Sequence, residues 1–262
     1  MGQDKANQQQ DAPDSGPRIL ARADAPSIAY HRLAGRAPGV MFLTGFMSDM
    51  QGQKALALEG LCRVRGQAYL RFDYRGHGQS DGLFEEADIE TWFDDALCAF
   101  DRLTDGPQVL VGSSMGGWLM LLLAKVRPER VMGLVGIAAA PDFTEGLRAA
   151  MTPEHRAAMA ADGKVVVPST YGDEYVFTRA LLDKGRTHCV LTGAIAFDGP
   201  VRLLQGMKDD AVPYETALRI QHAVTSHDVE VILIKDGDHR LSRDHDLARL
   251  NAVVNGLLDG LS

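Results

Sequence analysis

Gly112-Ser113-Ser114-Met115-Gly116 fits the pattern G-x-S-x-G, with an apolar stretch before it and another of helical length after it. In that setting a strand runs into a sharp, strained turn and then into a helix, and the serine at the apex projects its hydroxyl from the sheet. Small residues two positions to either side let strand and helix approach without a clash. Ser114 has glycine at both −2 and +2, and Ser113 does not. The helix start that follows adds favourable electrostatics for developing negative charge. A hydroxyl so placed performs nucleophilic acyl transfer when a base takes its proton and an acid orients the base. The competing interpretation is a structural Gly/Ser turn without chemistry.

Two later strand–loop units supply the missing residue types, in the chain order serine, acid, histidine. The apolar stretch 201–204 leads into Gly206-Met207-Lys208-Asp209-Asp210, and 229–234 leads into Asp236-Gly237-Asp238-His239. Residues just past strand ends share one edge of an open parallel sheet, where such folds place functional groups. Asp209 is the expected acid and His239 the expected base, with Asp210 and Asp142 as alternatives for the acid. His245 falls inside the last expected helix and is a poorer base. His77 is expected to serve the architecture of a glycine-rich loop, and His155, His188, His222 and His227 to be structural or solvated. The amides of Met115 and Phe46 are the expected oxyanion donors, because one donor follows the nucleophile and the other comes from the loop after the third strand, Thr44-Gly45-Phe46-Met47. Asp236, Asp238 and His239 on one tight loop are weak metal ligands, so neither a metal nor a cofactor is expected.

The elements that must position these residues follow from periodicity. Strands are expected at 19–23, 27–33, 40–44, 68–72, 108–111, 131–138, 201–204 and 229–234, and helices at 51–65, 89–103, 115–126, between the last two strands, and near 247–258. Alternating strand and helix predicts an α/β fold, a mostly parallel sheet with helices on both faces. The rhythm breaks between 142 and 199. There Thr152-Pro153 reads as a helix start and Gly163 as its end, and a second helix is expected from 174 to 184. An insertion at that point would cap the sheet edge, with Phe143, Leu147, Met151, Met159, Tyr171, Tyr175 and Phe177 as candidates for an acyl pocket. Residues 1–18 are polar and Pro-containing and are expected to be a disordered tail, leaving 19–262 as the folded domain. A net charge of −8 without a basic cluster argues against nucleic acid as a partner. The longest apolar run, 118–124, is too short for stable membrane insertion. Three cysteines in no paired spacing suggest a reducing compartment.

These motifs resemble those of the α/β-hydrolases: DYRGHGQSDG at 73–82, GSSMGG at 112–117, DDAVP at 209–213 and GDH at 237–239. The resemblance runs from about residue 19 to the C-terminus and implies the α/β-hydrolase fold, an eight-stranded sheet with a helical cap insertion. It implies Ser114, Asp209 and His239 as the triad, Asp209 because the family often shows D-x-x-V-P. Thr44-Gly45 stands where many members have His-Gly. The stretches at 45–59, 72–82, 165–171 and 203–213 are further similar to the branch of the abhydrolase-domain group that holds a mitochondrial palmitoyl-protein thioesterase and acyl-glucuronide esterase. That implies a serine hydrolase whose substrates are acyl thioesters or carboxylic esters, including S-acylated protein. No Arg-rich amphipathic leader is apparent, so a cytoplasmic location is expected. The rival expectations are a short-chain carboxylesterase, a C–C bond hydrolase, and a non-catalytic binder that keeps the fold.

Overall fold

The computed structural model describes residues 16–168 and 174–261. Along the chain the strands are β1 (Arg18–Leu20), β2 (Ile28–Leu33), β3 (Arg36–Leu43), β4 (Gln67–Phe72), β5 (Gln108–Ser113), β6 (Val131–Ile137), β7 (Lys164–Pro168), β8 (Glu174–Thr178), β9 (Val201–Gly206) and β10 (Val229–Ile234). The helices are α1 (Gln53–Arg65), α2 (Ile89–Leu103), α3 (Met115–Val126), α4 (Phe143–Ala150), α5 (Pro153–Asp162), α6 (Arg179–Thr187), α7 (Glu215–Ala223) and α8 (Asp244–Gly260). Eight strands form one sheet in the order β1-β2-β4-β3-β5-β6-β9-β10. β1 and β2 pair antiparallel with their neighbours, and the other pairs are parallel. β7 and β8 form a separate hairpin.

The strands' period of two decides the layers. Val40, Phe42, Val109 and Val111 point to one face and pack with Leu58 of α1 and with Leu250 and Val254 of α8. Met41, Leu43 and Leu110 point to the other face and pack with Trp92 and Phe100 of α2 and Leu119 of α3. β3 and β5 are therefore covered on both sides, which is why their sequences read as continuous apolar runs. α3 is buried from Met115 to Ala124 and needs no polar face. α2 starts at a capping box in which Asp88 and Thr91 bond reciprocally.

Two sequence expectations need correction. Arg18, placed in the tail, belongs to an edge strand that pairs with β2, and the rest of that expected tail through residue 15 lies outside the described residues. In the insertion, α5 does start on Thr152, whose hydroxyl accepts from the His155 amide at 3.2 Å, and it ends on Gly163 at φ 72°. The helix expected from 174 is instead strand β8 up to Thr178, which then caps α6. Phe177, Ala180 and Leu181 have helical spacing, but aromatic and β-branched residues fill 175–178 and the β-branched run Val165-Val166-Val167 offers them a partner strand.

Candidate active site

Ser114 stands alone between the end of β5 and the start of α3, at φ 54° and ψ −119°. Such a backbone costs a non-glycine residue about 1–3 kcal/mol, and neighbouring backbone holds it in place. The Ser114 amide donates to Ile137 O at 3.0 Å, and its carbonyl accepts from Gly117 N at 2.9 Å and Ala140 N at 3.0 Å. A β-carbon on Gly112 would lie 2.4 Å from Gly116 O, and one on Gly116 would lie 2.1 Å from Leu43 O. The blocking atoms are backbone and cannot swing aside. Gly116→Ala is therefore expected to destabilise the fold by about 3 kcal/mol, read as a lowered denaturation midpoint; an unchanged midpoint would show that the elbow is slack.

β9 and β10 pair in parallel from Val201↔Val229 to Gly206↔Ile234, so their following loops leave the sheet side by side. The loops are joined by Met207 N–H to Ile234 O and Lys208 N–H to Gly237 O, both at 2.9 Å. A β-carbon on Gly206 would sit 2.4 Å from Gly237 O, so glycine is required for this approach. His239 is thereby held with Nδ1 2.9 Å from Asp209 Oδ2 and Nε2 3.1 Å from Ser114 Oγ. The Asp209 side chain is fully buried. Its Oδ1 accepts from the amides of Ala211 at 3.0 Å and Val212 at 2.8 Å, and its Oδ2 also accepts from Gln205 Nε2 at 2.9 Å. A hydroxyl, an imidazole and a buried carboxylate in one hydrogen-bonded line can pass a proton from Oγ to Nε2 while the carboxylate stabilises the resulting imidazolium.

The loop after β3 lies against the elbow. A β-carbon on Gly45 would be 3.3 Å from Ser114 Cβ, so glycine brings this backbone close to Ser114. Among the described residues the amides of Phe46 and Met115 have no protein acceptor. Two unspent donors beside a serine hydroxyl can receive a developing oxyanion. The Phe46 ring packs among Phe84, Trp92, Phe143, Tyr175 and Phe177, with centroids 5.0 to 6.0 Å away. Three of these partners come from the insertion. Of the other residues expected at an acyl pocket, Met151 and Met159 pack instead with Val165 and Leu182, Leu147 touches both clusters, and Tyr171 lies outside the described residues.

His77 and Asp73 pin this same loop. Burial pushes His77 down to about 4, leaving a neutral ring. Nε2 accepts the Met47 amide at 3.2 Å, and Nδ1 donates to Arg75 O at 3.2 Å. Asp73 is fully buried and accepts the amides of Met50 at 2.7 Å and Gln79 at 2.9 Å. Burial raises its carboxyl to about 6 despite those bonds. The two groups oppose each other in pH. The His77 value is depressed on folding, so its stabilisation is complete above about 6.5 and is lost as pH falls toward 4. The Asp73 value is raised, so its stabilisation is complete below about 3.8 and is lost as pH rises through about 6. His77→Gln leaves Asp73 unopposed. The destabilisation of that variant relative to wild type should grow by about 2 kcal/mol between pH 5 and pH 7, measured by chemical denaturation at both pH values; a pH-independent penalty would rule out a neutral His77.

The structure also sorts the remaining candidates. Asp210 is exposed. Asp142 accepts from the amides of Val190 and Leu191, both at 2.8 Å, and so ties the two ends of the insertion together. His245 is exposed beside Asp246, and the His188 carbonyl accepts from Trp118 Nε1 at 3.0 Å. No group of three or more metal-ligating side chains occurs among the described residues. Gln205, which sequence reasoning missed, is a polar side chain of β9 that donates to Asp209; a buried polar residue among Leu203, Leu204 and Gly206 was the available signal.

The family profile described as serine aminopeptidase, S33 (Hydrolase_4) matches residues 40–174, a stretch that holds Ser114 but ends before Asp209 and His239. The bovine protein named palmitoyl-protein thioesterase ABHD10, mitochondrial, is 43% identical over 93% of this chain and 80% of its own length. Mouse alpha/beta hydrolase domain-containing protein 10 superposes with a TM-score of 0.89 at 40% identity, covering 95% of this chain and all of the other. A putative hydrolase from Agrobacterium vitis S4 superposes at 0.88 with 38% identity, covering 93% and 98%. The expected cytoplasmic location is overturned, because these curated relatives are named as mitochondrial. Scarce cysteine does not choose a compartment, and a hydrolase core carries no address in its composition. No helix among the described residues is long and apolar enough to cross a membrane. On sequence and on fold alike, the chain belongs to the Hydrolase_4 family of α/β-hydrolases and is a serine hydrolase of carboxylic esters or thioesters.

Proposed function

We propose that this chain removes long acyl groups from thioesters, S-acylated protein among them, through an acyl-enzyme on Ser114. The observation that carries the chemistry is the Ser114–His239–Asp209 line at 3.1 and 2.9 Å on a strained elbow. Ser114 Oγ attacks the acyl carbon and its proton passes to His239 Nε2. Asp209 accepts from Nδ1–H, fixes the tautomer and balances the imidazolium charge. The amides of Phe46 and Met115 donate to the oxyanion. Collapse of the tetrahedral intermediate expels the thiolate, which takes the proton from Nε2. Water then attacks the acyl-enzyme as Nε2 takes its proton, and the acid leaves as Oγ–H is restored.

The substrate assignment rests on two supports. One is the aromatic cluster around Phe46, in which Phe143, Tyr175 and Phe177 of the insertion form an apolar cap beside the nucleophile. The other is the thioesterase activity in the bovine relative's name. The test is hydrolysis of paired acyl esters and acyl thioesters from two to sixteen carbons. The expected result is a kcat/KM that rises with chain length and is higher for the thioester at each length. A maximum on short oxygen esters would make this a general carboxylesterase.

A further inference from the structure

We propose that the insertion carries a second, non-catalytic ligand site, a pocket between α4, α5 and α6 for an oxyanion, phosphate or carboxylate, borne on a short apolar chain. The cavity has a volume of about 370 Å³, within the range of small-molecule sites. Arg148, Arg156 and Arg179 line it with Asp183, and a second carboxylate, Glu145, lies behind Arg148. The chain as a whole carries −8, so this local excess of positive charge runs against its balance. Fork-shaped arginine donors suit phosphate and carboxylate oxygens in pairs.

One buried donor is unspent, Arg148 Nε, which has no hydrogen-bond partner. Arg156 is exposed, and its side chain has no ion pair or hydrogen bond among the described residues. The Glu145 carboxylate is 3.7 Å from that nitrogen, too far to satisfy it, and Asp183 takes only an Nη2 proton of Arg148 at 3.2 Å. Arg179 spends one nitrogen on the carbonyls of Met159 and Ala160 at the end of α5, which fixes its guanidinium at the rim. A buried unmet donor costs free energy that an incoming acceptor would relieve. The remaining wall is apolar, from Met151, Met159 and Leu182, so a bare inorganic ion would leave it uncovered.

The pocket is separate from the site at Ser114. Leu182 and Met159 belong to a small cluster of the insertion, whereas the adjacent Leu181 packs with Phe177 in the core that reaches Phe46. The inference therefore stands independently of the substrate assigned above. It is tested by calorimetric titration of the full chain with octyl phosphate, octanoate and inorganic phosphate. With Ser114 blocked by a fluorophosphonate, so that the acyl site is closed, one saturable site for an eight-carbon amphiphile is expected, at least about tenfold tighter than for inorganic phosphate, since each buried methylene adds to binding. The ratio of octyl phosphate to octanoate affinity identifies the preferred oxyanion. Arg156→Glu replaces an exposed side chain and should weaken the amphiphile about tenfold or more, with short-ester hydrolysis and the ligand-free Tm unchanged. Arg179→Gln should weaken it as well. Absence of saturable binding, binding indifferent to both substitutions, equal affinity for inorganic phosphate, or competition with an acyl substrate would each overturn the proposal.

Discussion

Replacing Ser114 by alanine should lower kcat on every acyl substrate by on the order of 10⁶, as loss of a triad nucleophile does in serine proteases, with the fold intact. Among the described residues the serine hydroxyl has one protein partner, His239 Nε2, and the turn itself is built from backbone bonds that alanine keeps. The expected loss is therefore catalytic and not structural, and the melting temperature should barely move. Ser113 is the internal control. It is the last residue of β5, buried and paired in register with Ile137, so Ser113→Ala should change kcat by less than about tenfold if it acts only through packing. A fluorophosphonate separates the two directly: it should label wild type and Ser113→Ala stoichiometrically and leave Ser114→Ala unlabelled. A folded Ser114→Ala protein with activity within about a hundredfold of wild type would remove the acyl-enzyme from the mechanism, because an oxyanion hole alone supplies far less than the complete triad.

What was legible in the sequence was local. The elbow could be read because its steric demand, small residues at 112 and 116, is written within five positions, and backbone oxygens 2.4 and 2.1 Å from the missing β-carbons impose that demand. The histidine could be read because a parallel sheet brings successive strand ends to one edge. The choice between Asp209 and Asp210 was not local. Both follow β9, and only the amides of Ala211 and Val212, folding back on Oδ1, turn the first inward and leave the second exposed. Gln205 escaped for the same reason, since its role depends on a loop that crosses beneath it. The aromatic cluster around Phe46 joins residues from 46 to 177, and no window of the chain contains that contact. β8 was misread because a strand ending in a helix cap presents both periods within a few residues.

Asp209→Asn should cost about 10⁴ in kcat with KM little changed, the size of effect seen when a serine protease triad loses its anion but keeps its shape. The hydrogen bonds around the carboxylate make the reason specific. Oδ1 receives two backbone N–H groups, so the asparagine oxygen must take that position and its NH₂ must take the position of Oδ2. The NH₂ then faces His239 Nδ1, which can only accept from it. The imidazole proton is forced onto Nε2, and Nε2–H points at Ser114 Oγ, where a base is needed. The opposite amide orientation would set NH₂ against two amide donors and is worse. Gln205 Nε2 also donates to Val212 O at 3.1 Å, so turning its amide to let Oε1 accept from the new NH₂ gives up that bond, a cost that falls on stability. The variant should therefore fold and bind substrate while holding the wrong tautomer. Asp210→Asn changes an exposed carboxylate and should leave kcat within about twofold. If the large loss instead follows Asp210, the acid lies one residue further on and the loop after β9 must rearrange for catalysis. If neither substitution costs more than about tenfold, His239 is oriented without a carboxylate, and the inward turn of Asp209 serves only to close the loop.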